Sequence, residues 1–171
     1  MDSSQPPSSI LPPLLQGRFA GRVEFSNLIR HAFTVAAEQG WRNIILCDPT
    51  FEDWPLGERS VAEALNRWSK SGRQLTMLAQ SYDEVIRRHA RFVTWRRTWS
   101  HVVECRGLSS AGIGDLPSAL WSPEWVFERL DLAHSTGIAG AEARRRVGLK
   151  ERLNEKLLRS TPAFAATTLG I

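Results

Sequence analysis

The feature that most constrains this chain is an alternation. Between Arg22 and Arg106 it passes three times from a segment with apolar residues at helical spacing to a short, strand-like run. In the first cycle Phe25, Leu28, Ile29, Ala32 and Ala36 share one side, Asn27, Arg30 and Glu38 lie opposite, and Gly40 ends the pattern. The continuous apolar run Asn43 to Cys47 follows, which suits a strand covered on both faces. Val61, Ala64, Leu65 and Trp68 mark a second helix ending near Gly72, before the strand Arg73 to Ala79. A third helix carries Tyr82, Val85, Ile86, His89 and Val93 on one face, widened by Phe92, Trp95 and Trp99, with a break expected near His89. Ser81 and Glu84 fit a capping box at its start. The strand His101 to Arg106 closes the third cycle. Two more strand candidates, Ala119 to Ser122 and Glu124 to Arg129, flank Pro123, and a basic helix runs from about Ala141 to Arg159. This order predicts a layered α/β domain around a mixed, mostly parallel sheet with right-handed crossovers.

The first 17 residues, MDSSQPPSSILPPLLQG, are rich in proline and serine and read as a flexible arm, leaving 18–171 as a single α/β domain. A chain of 171 residues can bury a core without disulfide or metal staples. Its seven tryptophans are expected to anchor that core. Cys47 and Cys105 lie inside strand-like runs and read as reduced, buried thiols of a cytoplasmic protein. No run approaches the ~20 apolar residues of a membrane span, and no signal-peptide pattern opens the chain.

A net charge of +4 conceals segregation. Asp48, Glu52, Asp53, Glu58 and Glu63 crowd one stretch, and Asp115, Glu124, Glu128 and Asp131 another. Arginines dominate Tyr82 to Arg106 and Ala139 to Ser160. Such segregation can select a charged partner, or reflect solvated helix faces.

Asp48 directly follows a strand, at the edge where α/β sheets build sites, with Asp53 nearby. A catalytic pair assisted by a histidine such as His101 is one reading. The other is a turn begun by Asp48-Pro49 and a helix capped by Asp53 with Pro55 in its first turn. Trp54 in the same loop is a ligand-binding candidate. No zinc spacing, P-loop, dinucleotide fingerprint or nucleophile elbow occurs, so neither metal nor cofactor is expected. Ser135 and Thr136 read as helix caps, and Gly107, Gly112 and Gly114 as turn residues. The run RRHARFVTWRRTW, Arg87 to Trp99, interleaves cations with rings as phosphate contacts with base stacking would need; alternatively its rings pack inward. Arg145, Arg152, Lys156 and Arg159 form a stripe on the last helix that could bind an anion.

The helix–strand order, with LCDPTF after the first strand and SG before RQLTMLA, resembles one half of the phospholipase D-like fold. From about Gly21 the chain looks like a group of uncharacterised bacterial phospholipase D-like proteins, through DPTFEDWPLG, RFVTWRRTWSH and the C-terminal TTLG. Active members carry H-x-K-x-x-x-x-D. The corresponding stretch here, Ser118 to Trp125, reads SALWSPEW, and no H-x-K occurs. The resemblance therefore implies the fold without the activity. The expected function is a non-catalytic binding or interaction module with a protein partner, including a second copy of itself. The alternatives are a phosphodiesterase-type hydrolase or transferase using Asp48 with a histidine, and a nucleic-acid-binding accessory protein using the arginine-rich helices.

Overall fold

The computed structural model describes residues 11–108 and 116–166. Asp115, Gly112, Gly114 and the TTLG phrase lie outside the described residues. Eight strands and five helices follow in the order β1 (Gly17–Phe19), α1 (Arg22–Gln39), β2 (Asn43–Cys47), α2 (Arg59–Trp68), β3 (Gln74–Ala79), α3 (Asp83–Arg88), α4 (Ala90–Thr98), β4 (Val103–Gly107), β5 (Ser118–Trp121), β6 (Val126–Asp131), β7 (Thr136–Gly140), α5 (Ala143–Arg159) and β8 (Thr161–Pro162). They form one sheet of order β1-β7-β6-β5-β2-β3-β4-β8.

The sheet is mostly antiparallel, against the expectation of a mostly parallel one. Only β2–β3 and β3–β4 are parallel; the other five pairings run antiparallel. The physical reason is connection length. The crossovers through α2 and through α3–α4 make β2, β3 and β4 parallel neighbours, whereas β5, β6 and β7 are joined by tight turns that reverse direction. Ser122 builds the first of these turns: its Oγ accepts from Glu124 and Trp125 N–H and donates to the Trp125 carbonyl. Ser135 and Thr136, expected at a helix start, instead complete the β6–β7 turn and begin β7.

Phe25, Leu28, Ile29, Ala32, Phe33 and Ala36 of α1 are buried against the sheet together with Leu46, Met77, Leu120 and Phe127. Gly40 ends α1 in a left-handed conformation, φ 70°, and its N–H caps the Ala36 carbonyl. The opposite face carries a smaller cluster of Ile45, Cys47, Leu78, Ala119, Trp121 and Val126 beneath Leu149 and Leu153 of α5. The helical segment of the third cycle does break at His89. Ser81 accepts the Asp83 N–H, but Glu84 pairs with Arg87 and Arg88 and completes no capping box. Residues 11–17 lie on the body. Leu11 and Leu14 pack on the core, the Leu15 carbonyl accepts from the Trp125 indole, and the Gln16 amide oxygen accepts from Ala141 N–H.

Parallel order gives the sheet two distinct ends. β2, β3 and β4 all begin at what we term the lower end and finish at the upper end. β6 rises with them, β5 and β7 descend, and α5 starts low and climbs.

Candidate functional site

At the upper end Asp48 and Asp53 are brought together by Arg129 of β6. The Arg129 side chain is 1% exposed and all five of its N–H positions are engaged. Nε donates to Ser118 Oγ; Nη2 donates to Asp48 Oδ1 at 3.0 Å and Asp53 Oδ1 at 3.1 Å; Nη1 donates to Asp53 Oδ2 and Ser135 Oγ. Its guanidinium carbon stands 4.1 Å from the Phe25 ring centroid. Asp48 Oδ2 also accepts from Thr50 and Phe51 N–H, so the Asp-Pro turn forms as its sequence predicts. Phe51 and Ser135 both hold positive φ, 58° and 50°, conformations the surrounding bonds impose. Asp53 caps no helix; α2 begins six residues later, at Arg59.

A carboxylate so saturated is poorly placed to take a proton from a substrate. His101 lies just before β4, at the lower end, so the sheet separates it from Asp48. The histidine near this loop is His89, buried, with Nε2 2.8 Å from the Phe51 carbonyl. Burial holds its pKa below the ordinary value. Trp54 is 1% exposed and packs among Phe25, Phe51 and Phe127, a core position. Burial likewise pushes the Cys105 thiol up to about 11 and raises Cys47 further.

The basic stripe on α5 divides. Arg152 makes a bidentate pair with Glu128 at 2.6 and 2.7 Å, and Arg159 pairs with Glu155. Lys156 lines a cavity of about 470 Å³ beside Glu128, Glu155, Arg129 and Arg152, whose charges offset one another. Arg145 sits apart at the lower start of the helix, over Gly140. In the arginine-rich third cycle, Phe92 and Trp95 are buried and Arg96 is interior, donating to the Val103 and Phe164 carbonyls. Arg87 and Arg88 pair with Glu84.

The lower end differs. The turns entering β2 and β3 and the last turns of α2 and α4 place Arg42, Arg67, Lys70, Arg73 and Arg97 at this end, where α5 also starts with Arg144, Arg145 and Arg146. Bonds between the turns fix their spacing. Gln74 N–H donates to the Arg42 carbonyl, Leu75 N–H to Val102, and both the Trp68 indole and Arg73 Nη1 to the Trp41 carbonyl. Among the described residues none of Arg42, Arg67, Lys70, Arg73 or Arg97 makes an ion pair. Among the described residues the acids at this end include Glu38, Glu124, Glu142 and, one residue into β4, Glu104.

Sequence reasoning reached Arg97, within the run Arg87 to Trp99, but missed the rest of this cluster because its members are dispersed along the chain. The signal was available in the positions: each precedes a strand of the parallel set or closes the helix before it. Arg129 was missed for a related reason, since its partners lie 81 and 76 residues away.

No family model matches this chain, and no curated protein does. Among solved structures it is similar to TrmBL2, described as an archaeal chromatin protein that shows a novel mode of DNA binding. The match has a TM-score of 0.58 and 18% identity, over 91% of this chain and 56% of that one. It establishes likeness of fold, over about half the neighbour's length. The phospholipase D-like resemblance is corrected accordingly: the phrases that suggested it match no family model, and the structural neighbour is a chromatin protein. LCDPTF reflects local physics, a buried strand ended by an Asp-Pro turn. Among the described residues, no helix is long and apolar enough to cross a membrane.

Proposed function

We propose that this chain is a non-catalytic α/β module that binds nucleic acid by phosphate contacts at the lower end of its sheet. The observation that carries the reading is the unpaired cluster of Arg42, Arg67, Lys70, Arg73 and Arg97, positioned by hydrogen-bonded turns while most upper-end carboxylates are matched to arginines. Cations without a carboxylate partner are free to neutralise phosphates and release the counterions condensed on a polyanion. The DNA-binding description of the structural neighbour supports the same direction.

The test is the salt dependence of oligonucleotide affinity. Each phosphate neutralised contributes about −0.7 to the log–log slope for a single strand and about −0.9 for a duplex. Arg67→Glu with Lys70→Glu should flatten a single-strand slope by about 1.4. The upper-end control Arg87→Glu with Arg91→Glu should leave it nearly unchanged. Absence of binding even at about 50 mM salt, or equal weakening by both pairs, would overturn the proposal.

A further inference from the structure

All seven tryptophans fall within the described residues, and six are buried, with exposures of 6% or less. Trp99 is the exception. It caps α4 at the lower end, half-buried, with its Nε1 donating to Asn66 Oδ1 at 3.3 Å, which ties the indole to the last turn of α2. Val102 N–H donates to the Trp99 carbonyl at 2.8 Å and closes a tight turn that leaves His101 exposed. The His101 ring lies against the indole, 5.7 Å between centroids and 36° between planes. Arg97 and Arg67, in the last turns of α4 and α2, and Lys70, two residues past α2, are all exposed at this same end of the sheet.

We infer that Trp99 and His101 form a stacking platform for an unpaired base, so that the lower end takes single-stranded nucleic acid in preference to duplex. This rests on the phosphate-binding reading above and adds the strandedness of the ligand. An aromatic surface beside fixed cations matches what a single strand offers, a base face next to a phosphate. A duplex hides its base faces in its own stack and would leave the platform idle. The site needs no base-edge recognition, so binding follows stacking strength rather than sequence. Asn66 contributes as a positioning residue, because its amide oxygen fixes the indole.

The test compares an oligothymidylate of about 12 nucleotides with a duplex of equal length, by anisotropy and by tryptophan fluorescence. The strand should bind more tightly than the duplex and quench emission. Trp99→Phe should keep most of the affinity and lose the quench. His101→Ala, at an exposed position, should weaken the strand about fivefold and leave duplex binding unchanged. Trp99→Ala should cost about fivefold to a hundredfold, provided its circular dichroism matches the parent; if it does not, Trp99→Phe and His101→Ala decide alone. Equal affinity for strand and duplex, with both of those variants indistinguishable from the parent, sinks the platform while leaving phosphate binding standing. No binding to either ligand at low salt removes both readings.

Discussion

Replacing Arg129 by methionine tests whether the Asp48–Asp53–Arg129 knot holds the fold together. Methionine keeps an unbranched apolar stem and removes the guanidinium, with its contact over Phe25 and all five donors. Asp48, 2% exposed, then keeps two backbone N–H donors but loses its ion-pair partner. Breaking a buried ion pair from one side costs about 3–5 kcal/mol, because the remaining charge stays desolvated. For a chain of this size 1 kcal/mol shifts the melting temperature by about 2–4 °C, so the variant should melt about 6–20 °C lower. Urea unfolding followed by tryptophan emission is a suitable assay, since Trp54 packs on Phe25 beside the knot. Asp48→Asn in the Arg129→Met background should recover part of the loss, with a coupling energy of about 2 kcal/mol. Asp53 is 18% exposed and should matter less when replaced alone. A loss below about 1 kcal/mol, or strictly additive single and double variants, would refute the reasoning and return the two carboxylates to consideration as a site.

Two further outcomes follow from the geometry. Gly137→Ala would place a Cβ 2.1 Å from the Glu128 carbonyl oxygen and 2.5 Å from the Phe19 ring, so β6 and β7 must part; thermal melting should show a loss of about 3 kcal/mol. His89 is held neutral chiefly by burial, so its folded pKa lies below its unfolded one. Stability should be full above about pH 6.5 and fall as pH drops through the window below it, because the unfolded chain takes up the proton first. His89→Gln, whose amide can still donate to the Phe51 carbonyl, should flatten that fall in urea midpoints measured across the window.

Local patterns were legible in the sequence and long-range pairings were not. Helical spacing located α1, α2 and the α3–α4 pair, and the apolar run at Asn43 to Cys47 located β2. The break at His89 was foreseeable from its sequence, as was the Asp48 turn. Strand direction was not, because β5 to β7 carry the same apolar content whether they run with their neighbours or against them. β1 and β8 are three and two residues long, too short to leave a periodicity. The candidate site followed the same rule. Arginine-dense stretches drew attention on α4 and α5, yet Arg96 is interior and Arg152 and Arg159 are paired; of the unpaired cations only Arg97 falls in such a stretch, while Arg42, Arg67, Lys70 and Arg73 are scattered along the chain at positions that only the topology assembles.

Those positions also set a physical objection to the proposal, and its size decides the matter. α1, α2 and α4 all end at the lower end, and each helix C-terminus carries about half a negative charge. Cations there would be expected for the helices' sake alone, and Arg67 and Arg97 do sit in last turns. Three such ends amount to about −1.5 charges, partly offset by the start of α5. Arg42, Lys70 and Arg73 lie beyond the helices, and α1 has no cation in its last turn to answer its own dipole. The positive excess therefore exceeds what the dipoles require. It also lies in loops, where side chains can reach outward to a strand rather than back along a helix axis. Neutralising Lys70 should accordingly change oligonucleotide affinity while leaving helix stability intact, whereas neutralising Arg67 should touch both.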